Sequence, residues 1–303
     1  MKTAFIICLA AVTLRFVASF RGSMGRLKLH MSGGVADWLV DRSEAIYTAQ
    51  VLRLSKETAV AALSNGERLV EIEYPASRGN DPSVTETLDK TRYFARELLK
   101  DSYFTQLGTS LWVLFPDSNE ASLARQKWGD KLPFVLTSIE GALTEKALSA
   151  EKKPVCCVCI SPGFNIPEWI DIEKVATSQP QSQILTINGN LERLRNGYYP
   201  ALFYPGLTAV TNRFYKKFKS VFVINPIAVG GDRLGAWLYK VGISEPWQVL
   251  VKTNGQTSGA ESGGRTSSPR LDSISSSEQE PKASDAWRLA TAAYNERNRR
   301  FFS

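Results

Sequence analysis

The amino-acid sequence predicts an α/β protein whose mainly parallel central sheet is flanked by helices and extended by an antiparallel C-terminal meander. Short apolar runs alternate with helix-length segments between residues 69 and 187, which is the pattern of βαβ units. Three more extended runs follow between residues 220 and 252 and are separated only by turn-forming residues. At 303 residues and 43% hydrophobic content, the chain can bury one sizeable core.

The predicted elements of the parallel half differ in how their apolar residues are spaced. Residues 36–65 show helical periodicity, and residues 83–86 have the spacing of a capping box that opens a helix to about residue 100. Between residues 69 and 74, apolar side chains alternate with Glu71 and Glu73, which predicts a strand with one hydrated face. Continuous apolar runs predict strands that are covered on both faces, and they lie at residues 111–115, 155–160 and 184–187.

Polar residues follow the first and third of these buried strands. Asp117 and Asn119 come after the first, and Asn188 and Asn190 come after the third. Because open parallel sheets bind ligands beyond the carboxyl ends of their strands, these four residues are candidate binding residues. The same residue types cap helices and form turns, and this structural interpretation is favoured for each of them.

The composition of the chain changes at four points and divides it into five segments. Residues 253–284 are rich in Ser and Gly and have almost no large apolar side chains, which predicts a disordered linker. A helical pattern that includes Trp287 follows the linker. The predicted segments are a signal peptide at 1–19, a plastid transit segment at 20–34, a single α/β domain at 35–252, the linker at 253–284 and a C-terminal helix at 285–303.

The first 34 residues have the composition of a targeting leader. Lys2 precedes an apolar run, residues 17 and 19 suit a cleavage site, and the stretch after them is basic and free of acidic residues. This order resembles the bipartite leaders of algae with secondary plastids, so we expect a location in the stroma or at the stromal face of the thylakoid. Plain secretion is the alternative. It is disfavoured because no Asn-x-Ser/Thr sequon occurs and three cysteines crowd a single strand.

The residue types available for catalysis are limited. The only histidine, His30, lies in the predicted leader, which excludes Ser-His-Asp catalysis and histidine zinc sites from the mature chain. No P-loop and no G-x-G-x-x-G pattern occurs, and the three cysteines beyond the leader suit a buried strand better than a metal site. We therefore expect no cofactor and no metal. Catalysis stays open but is disfavoured, with Glu71 and Glu73 as an acid–base alternative to a hydrated strand face.

Four basic residues are candidates for a surface that contacts an anionic partner. Arg213, Lys216 and Lys217 have the i, i+3, i+4 spacing of one helix face, and Lys219 lies close to them. Aromatic residues are interleaved with these cations in the sequence. Such a face can rest on an anionic lipid or protein surface, whereas a solvated face over a core stripe is the default interpretation.

The segment Asn188–Pro205, NGNLERLRNGYYPALFYP, is unusually dense in Asn, Arg, Tyr and Pro. Together with residues 214–218 and the EPWQVL sequence at 245–250, it resembles the plant and algal branch of the family catalogued as domain of unknown function 1995. That family includes a chloroplast protein understood to assist assembly of an inner-antenna subunit into photosystem II, and it also occurs fused to a plastid adenylate kinase. The resemblance implies a plastid factor whose partners are photosystem II assembly proteins or subunits, with peripheral contact to the thylakoid membrane. It implies no catalytic residue.

Exposed aromatic and Arg side chains favour interfaces, so the Arg and Tyr residues of this segment join the candidate contacts. The complete candidate binding set is Asp117, Asn119, Asn188, Asn190, Arg193, Arg195, Tyr198 and Tyr199.

The net charge of +7 belongs mostly to the leader. Residues 1–32 hold five basic residues and no acidic residue, so the rest of the chain carries only +2 and no nucleic-acid partner is expected. Two hypotheses remain. The favoured one is a non-catalytic plastid auxiliary factor that assists photosystem II assembly or accumulation at the thylakoid. The alternative is an α/β enzyme or regulatory domain that binds a nucleotide or a phosphorylated metabolite at the strand ends.

Overall fold

A single mixed sheet organises the chain in the computed structural model. The structure describes residues 36–40, 43–76, 83–129, 131–144, 147, 153–163, 165–253 and 269–301. The predicted signal peptide and the predicted transit segment at 20–34 lie outside the described residues. The strands of the described part are β1 (Leu69–Glu73), β2 (Leu111–Phe115), β3 (Val135–Ser138), β4 (Cys156–Ile160), β5 (Gln183–Ile187), β6 (Lys219–Val229), β7 (Asp232–Val241), β8 (Trp247–Thr253) and β9 (Arg270–Ser277).

These strands have the order β3-β2-β4-β5-β1-β6-β7-β8-β9. Neighbouring strands from β3 to β6 are parallel, and those from β6 to β9 are antiparallel. The predicted α/β class, with a mainly parallel sheet and an antiparallel C-terminal meander, is therefore confirmed. Gly230 and Gly231 form the predicted hairpin turn with φ of +56° and +81°, which glycine adopts without a steric penalty.

Helices cover both faces of the sheet. The α-helices of the described residues are α1 (Glu44–Ser64), α2 (Val84–Leu98), α3 (Ser102–Thr105), α4 (Ser118–Trp128), α5 (Ile166–Ser178), α6 (Leu191–Arg195), α7 (Pro205–Arg213) and α8 (Ala283–Phe301). On one face, the ring of Tyr74 lies 4.5 Å from Phe94 of α2, and Phe115 lies 5.8 Å from Trp128 of α4. On the other face, α5, α6 and α7 pack on β1, β2, β4 and β5, while α8 packs on the meander.

The prediction of one hydrated face on β1 is wrong. Glu71 is only 1% exposed, because α6 and the segment before α8 cover the face to which its side chain points. The alternation of apolar and acidic residues in β1 therefore reflects a polar contact inside the protein rather than contact with solvent. Periodicity alone does not separate these two origins, because both place charges on alternate residues.

The prediction of a disordered linker over 253–284 is wrong for residues 270–277. They form β9, whose backbone pairs with β8 along the antiparallel end of the sheet. This strand is held by backbone pairing, and Ile274 is its one side chain that packs against the neighbouring core. Its sequence therefore needs few apolar residues, and its Ser-rich composition is that of a linker. Residues 254–268 lie outside the described residues. The short parallel strand β3 was also not predicted, since only two of its four residues are apolar.

The helix α8 lies where a C-terminal helix was predicted at 285–303 and begins at Ala283, and Ala286 and Ala290 pack it against the meander. The helix that was expected to place Arg213, Lys216 and Lys217 on one face is interrupted. α7 ends at Arg213, Phe214 has φ −122° and ψ −61°, and a single 3₁₀ turn follows at Tyr215–Lys217. Arg213 therefore does not share a helix face with the lysines at 216 and 217. Among the described residues, no helix is long and apolar enough to cross a membrane.

Candidate functional site

The first two predicted binding residues lie at the start of α4. The Asp117 carboxylate accepts the backbone N–H of Glu120 at 2.8 Å, which makes it the N-cap of the helix. Asn119 is exposed in the first turn. The contacts of Asp117 are those of the cap interpretation that the sequence favoured.

Asn188 connects three elements at the carboxyl edge of the sheet. It is buried with φ +53°, its side-chain oxygen accepts the N–H of Tyr74 at 3.0 Å, and its amide donates to the Thr91 hydroxyl at 3.1 Å. These bonds join the ends of β5 and β1 to α2. Asn190 is exposed, has φ +51°, and its backbone N–H donates to the Glu73 carboxylate at 3.0 Å. Asn tolerates this left-handed backbone better than most residues do.

Arg195 is held between two carboxylates and is nearly buried. Its guanidinium donates to both oxygens of Glu71, at 2.8 and 3.2 Å, and to both oxygens of Glu280, at 2.8 and 3.1 Å. The Ser220 hydroxyl donates to the same Glu71 carboxylate at 2.8 Å. We call Glu71, Arg195, Ser220 and Glu280 the arginine clamp. It ties α6 to β1, to β6 and to the segment that leads into α8.

Burial and mutual repulsion change the acidity of the groups in and beside the clamp. Burial raises the pKa of Glu73 to about 8, and the neighbouring charge of Glu71 adds to this. Burial also raises the pKa of Glu192 and of Glu280, although Arg195 opposes the shift in both. Burial lowers the pKa of Arg195, but the charges of Glu71 and Glu280 outweigh this and raise it above its usual value.

The clamp is suited to holding elements together rather than to chemistry. Both oxygens of Glu71 and of Glu280 accept hydrogen bonds from Arg195, so neither carboxylate is free to act as a base. The described residues contain no group of three or more His, Cys, Asp or Glu side chains that could hold a metal ion. The cysteines Cys156, Cys157 and Cys159 are buried, and burial raises the pKa of each thiol, that of Cys157 to about 12.

The loop after α6 contains the most exposed apolar side chains of this region. The exposed fractions are 67% for Tyr198, 84% for Leu202, 72% for Phe203 and 38% for Tyr204. We call residues 198–204 the aromatic loop. Sequence reasoning identified Tyr198 and Tyr199 but not Leu202, Phe203 or Tyr204, although all three belong to the NGYYPALFYP sequence that carries the family resemblance.

Tyr199 anchors the aromatic loop to the core. Its ring lies 5.5 Å from Trp169, 5.1 Å from Tyr198 and 5.4 Å from Tyr204, each in an edge-to-face arrangement. Trp169 is itself fixed, because its indole N–H donates to the Gly189 carbonyl at 3.1 Å. Gly163 makes room for this indole, since a Cβ at that residue would lie 2.3 Å from the ring. The exposed side chains therefore stand on an ordered base.

A cavity of about 190 Å³ lies between the aromatic loop and α7. Pro200 and Ala201 line one side, and Thr208, Thr211 and Lys216 belong to the other elements around it. Its size is below the range usual for drug-sized ligands. Lys216 therefore lines the same cavity as Pro200 and Ala201 of the loop.

The basic residues divide into paired and unpaired ones. Arg213 is exposed and pairs with Glu173 of α5 through two hydrogen bonds, at 2.5 and 2.6 Å. Arg193 lies over the Tyr198 ring, with its guanidinium carbon 5.6 Å from the ring centre. Lys216, Lys217 and Lys219 are exposed, and in the described parts of the chain none of them, nor Arg193, forms an ion pair.

The predicted binding residues thus separate into three groups. Asp117, Asn188 and Asn190 hold local structure at the strand ends, and Arg195 lies inside the arginine clamp. Arg193, Tyr198 and Tyr199 come together with the unpredicted loop residues on one surface. Glu280 and Ser220 were missed because their partners are more than 80 residues away in sequence, at 195 and 71.

Comparison with known proteins identifies a family but no individual relative. The family model described as a domain of unknown function (DUF1995) matches residues 48–286, which is most of the chain and includes both the arginine clamp and the aromatic loop. No curated protein and no solved structure matches this chain.

Proposed function

We propose that this chain, which belongs to the domain of unknown function 1995 family, is a plastid auxiliary factor that assists photosystem II assembly or accumulation at the thylakoid by binding rather than by catalysis. The observation that carries the proposal is the aromatic loop with its exposed Leu202 and Phe203. Residues of the same segment resemble the low photosystem II accumulation 3 protein, which supplies the cellular process. The leader composition supports the plastid location.

An exposed apolar loop on an ordered base indicates a contact surface. Leaving two large apolar side chains in water costs free energy that association with a partner recovers, at about 1.5–3 kcal/mol for each fully buried side chain. Contiguous apolar patches on soluble proteins mark interaction sites, and aromatic residues are enriched in such contacts. Because the loop is held by Tyr199, little conformational entropy is lost when it binds.

The contacts at the strand ends do not favour the nucleotide alternative. A nucleotide site there needs donors that are free to meet phosphate oxygens. The side-chain amide of Asn188 and the backbone N–H of Asn190 already donate to neighbouring protein groups. The Asp117 carboxylate only accepts hydrogen bonds and would repel a phosphate. We therefore propose no phosphate site at this edge.

Disruption of the gene in the source organism tests the proposed function. We expect photosystem II subunits to fall several-fold relative to photosystem I, measured by immunoblotting and by low-temperature chlorophyll fluorescence, and the wild-type gene to restore them. Photosystem I serves as the internal control for general damage to the thylakoid. An unchanged ratio of photosystem II to photosystem I in the disrupted line, with the tagged protein located outside plastids, would refute the proposal.

A further inference from the structure

We infer that the aromatic loop docks on an anionic lipid bilayer, with Leu202 and Phe203 entering the headgroup region and Arg193 and Lys216 contacting lipid anions. The inference rests on the proposed function only in naming the thylakoid as the membrane. The loop surface combines exposed apolar tips with flanking cations, and peripheral proteins bind anionic membranes through surfaces of this kind.

The backbone of the loop presents its apolar side chains as a fixed tip. The Pro200 carbonyl accepts the N–H groups of both Phe203 and Tyr204 at 3.0 Å, so the chain reverses tightly at the tip. The Tyr204 carbonyl accepts from the backbone and the hydroxyl of Thr208, both at 3.0 Å, which joins the loop to the first turn of α7. Leu202 and Phe203 are therefore held outward instead of collapsing onto the protein.

Tyrosines stand beside this tip. Tyr198 is two-thirds exposed, and Tyr204 is one-third exposed and packs against Tyr199. An aromatic ring with a polar hydroxyl prefers the interface between headgroups and acyl chains, where one end is wet and the other is apolar. Tyr198 and Tyr204 thus accompany the apolar tip as aromatic residues accompany an interfacial anchor.

The chain from residue 193 to residue 231, which includes the loop, carries charges of one sign. Residues 193–231 contain six Lys and Arg residues and no Asp or Glu. Arg195 and Arg213 are neutralised by the arginine clamp and by Glu173, whereas Arg193 stacks on Tyr198 and Lys216 lines the cavity beside Pro200. Cations therefore lie beside the loop at Tyr198 and in the 3₁₀ turn that follows α7. They complement a bilayer of anionic headgroups, and no carboxylate of residues 193–231 repels it.

A probe at the tip tests the inference on the full chain. Leu202→Cys is labelled with the environment-sensitive fluorophore NBD in a Cys8→Ala background, where the remaining cysteines are fully buried. The matched control carries the probe at Val84→Cys, an apolar residue that is 61% exposed on the opposite face of the sheet. Vesicles of phosphatidylcholine with 30% phosphatidylglycerol should shift NBD emission to the blue at residue 202 and leave it unchanged at residue 84. An unshifted probe at 202 would overturn the inference.

Vesicle binding by variants separates the apolar from the electrostatic contribution. Leu202→Ser with Phe203→Ser should weaken binding at least about tenfold, and the control Val84→Ser with Tyr93→Ser should not. Arg193→Gln with Lys216→Gln should weaken binding about fivefold per charge at low salt, whereas Lys131→Gln with Lys282→Gln removes the same charge without this loss. Equal binding by the loop variant and its control would count against the inference.

The same probe distinguishes a lipid partner from a protein partner. A shift at residue 202 that requires thylakoid proteins and does not occur with pure lipid would overturn the bilayer inference in favour of a protein. That outcome leaves the proposed function intact, because it depends on photosystem II accumulation and not on the identity of the loop's partner. Conversely, lipid binding with normal photosystem II in the disrupted line would support the inference while refuting the proposed function.

Discussion

Arg195 of the arginine clamp and the first residue of the aromatic loop are separated by only two residues in the sequence. In the fold, the Arg195 side chain is nearly buried, whereas the outer side chains of the loop are exposed. The Arg195 guanidinium lies between Glu71 and Glu280, and both oxygens of each carboxylate accept a hydrogen bond from it. Leu202 and Phe203, which hydrophobicity alone would place in a core, are the exposed ones. Within this segment, the charged side chain of Arg195 is therefore enclosed in a structural contact, whereas the apolar side chains of Leu202 and Phe203 are left exposed.

The clamp and the loop differ in which parts of the protein they hold together. The clamp joins elements that are distant in sequence, and its loss leaves a carboxylate buried without a counter-charge. The aromatic loop is held by Tyr199 and by the bonds from Thr208 to the Tyr204 carbonyl. The side chains of Leu202 and Phe203 take part in neither contact, so they can change without disturbing the core. Variants on the two sides of the contrast should therefore change stability by very different amounts.

The largest effect should follow from Arg195→Met. It leaves Glu71 buried and unpaired, and breaking a buried ion pair by removing one partner costs about 3–5 kcal/mol. The measurement is the free energy of unfolding in urea. The matched control is Arg193→Met, two residues earlier on the exposed side, for which about 0.5 kcal/mol or less is expected. Equal free energies of unfolding for the two variants would show that the clamp does not stabilise the fold.

A smaller loss should follow from Gly163→Ala beneath the anchor of the loop. The new Cβ would meet the Trp169 ring at 2.3 Å with φ +109°, which combines overpacking with backbone strain at about 2–4 kcal/mol. Gly197→Ala also has a positive φ, +74°, but its Cβ faces open space, so only the strain of about 1–2 kcal/mol is expected. Thermal unfolding of both proteins measures the difference, and a Gly197 variant as unstable as the Gly163 variant would contradict the packing argument.

The acidity of Glu73 should make stability depend on pH. Its folded pKa of about 8 lies above the usual 4.5, so between these values the folded protein holds a proton that the unfolded chain has lost. The free energy of unfolding should therefore fall as pH rises through this window, by at most about 1.4 kcal/mol per pH unit from this group. Glu73→Gln should flatten the slope, and Glu140→Gln on an exposed turn is the control. A steeper slope in Glu73→Gln would contradict the assignment.

Removing the cap of α4 should have the smallest of these effects on stability. Asp117→Ala loses one side-chain bond to a helix N-terminus, worth about 1 kcal/mol. As a residue of helix structure rather than of the contact surface, it should leave photosystem II accumulation unchanged when the variant gene restores a disrupted line. Loss of accumulation at unchanged protein abundance would instead indicate a binding role for Asp117.

Much of the fold could be predicted from sequence because its signals are local. Buried runs such as LWVLF, the capping residues Ser83 and Asp117, and the Gly230-Gly231 turn act within a few residues. The face of β1 could not be predicted in this way, since the partner of Glu71 is Arg195, 124 residues along the chain. The strand β9 could not be predicted because backbone pairing with β8 leaves no signal in its Ser-rich sequence. A carboxylate beside an apolar residue has the same sequence pattern whether it meets water or a buried guanidinium.

In the candidate site, too, the sequence gives the residue types but not the contacts that decide their roles. Asp117 and Asn188 belong to residue types used for both caps and ligands, and only their contacts distinguish the two roles. The exposure of Leu202 and Phe203 could not be read from hydrophobicity, because an apolar residue next to a helix is normally buried. The acid-free stretch from residue 193 to residue 231 was the available signal for this surface.

We propose that the aromatic loop is the surface through which this protein acts. The most direct test restores a disrupted line with the gene for Leu202→Ser with Phe203→Ser and compares it with the gene for Val84→Ser with Tyr93→Ser, at matched protein abundance. The loop variant should fold normally and fail to restore the ratio of photosystem II to photosystem I, whereas the control should restore it fully. Full restoration by the loop variant would show that the protein does not act through the aromatic loop.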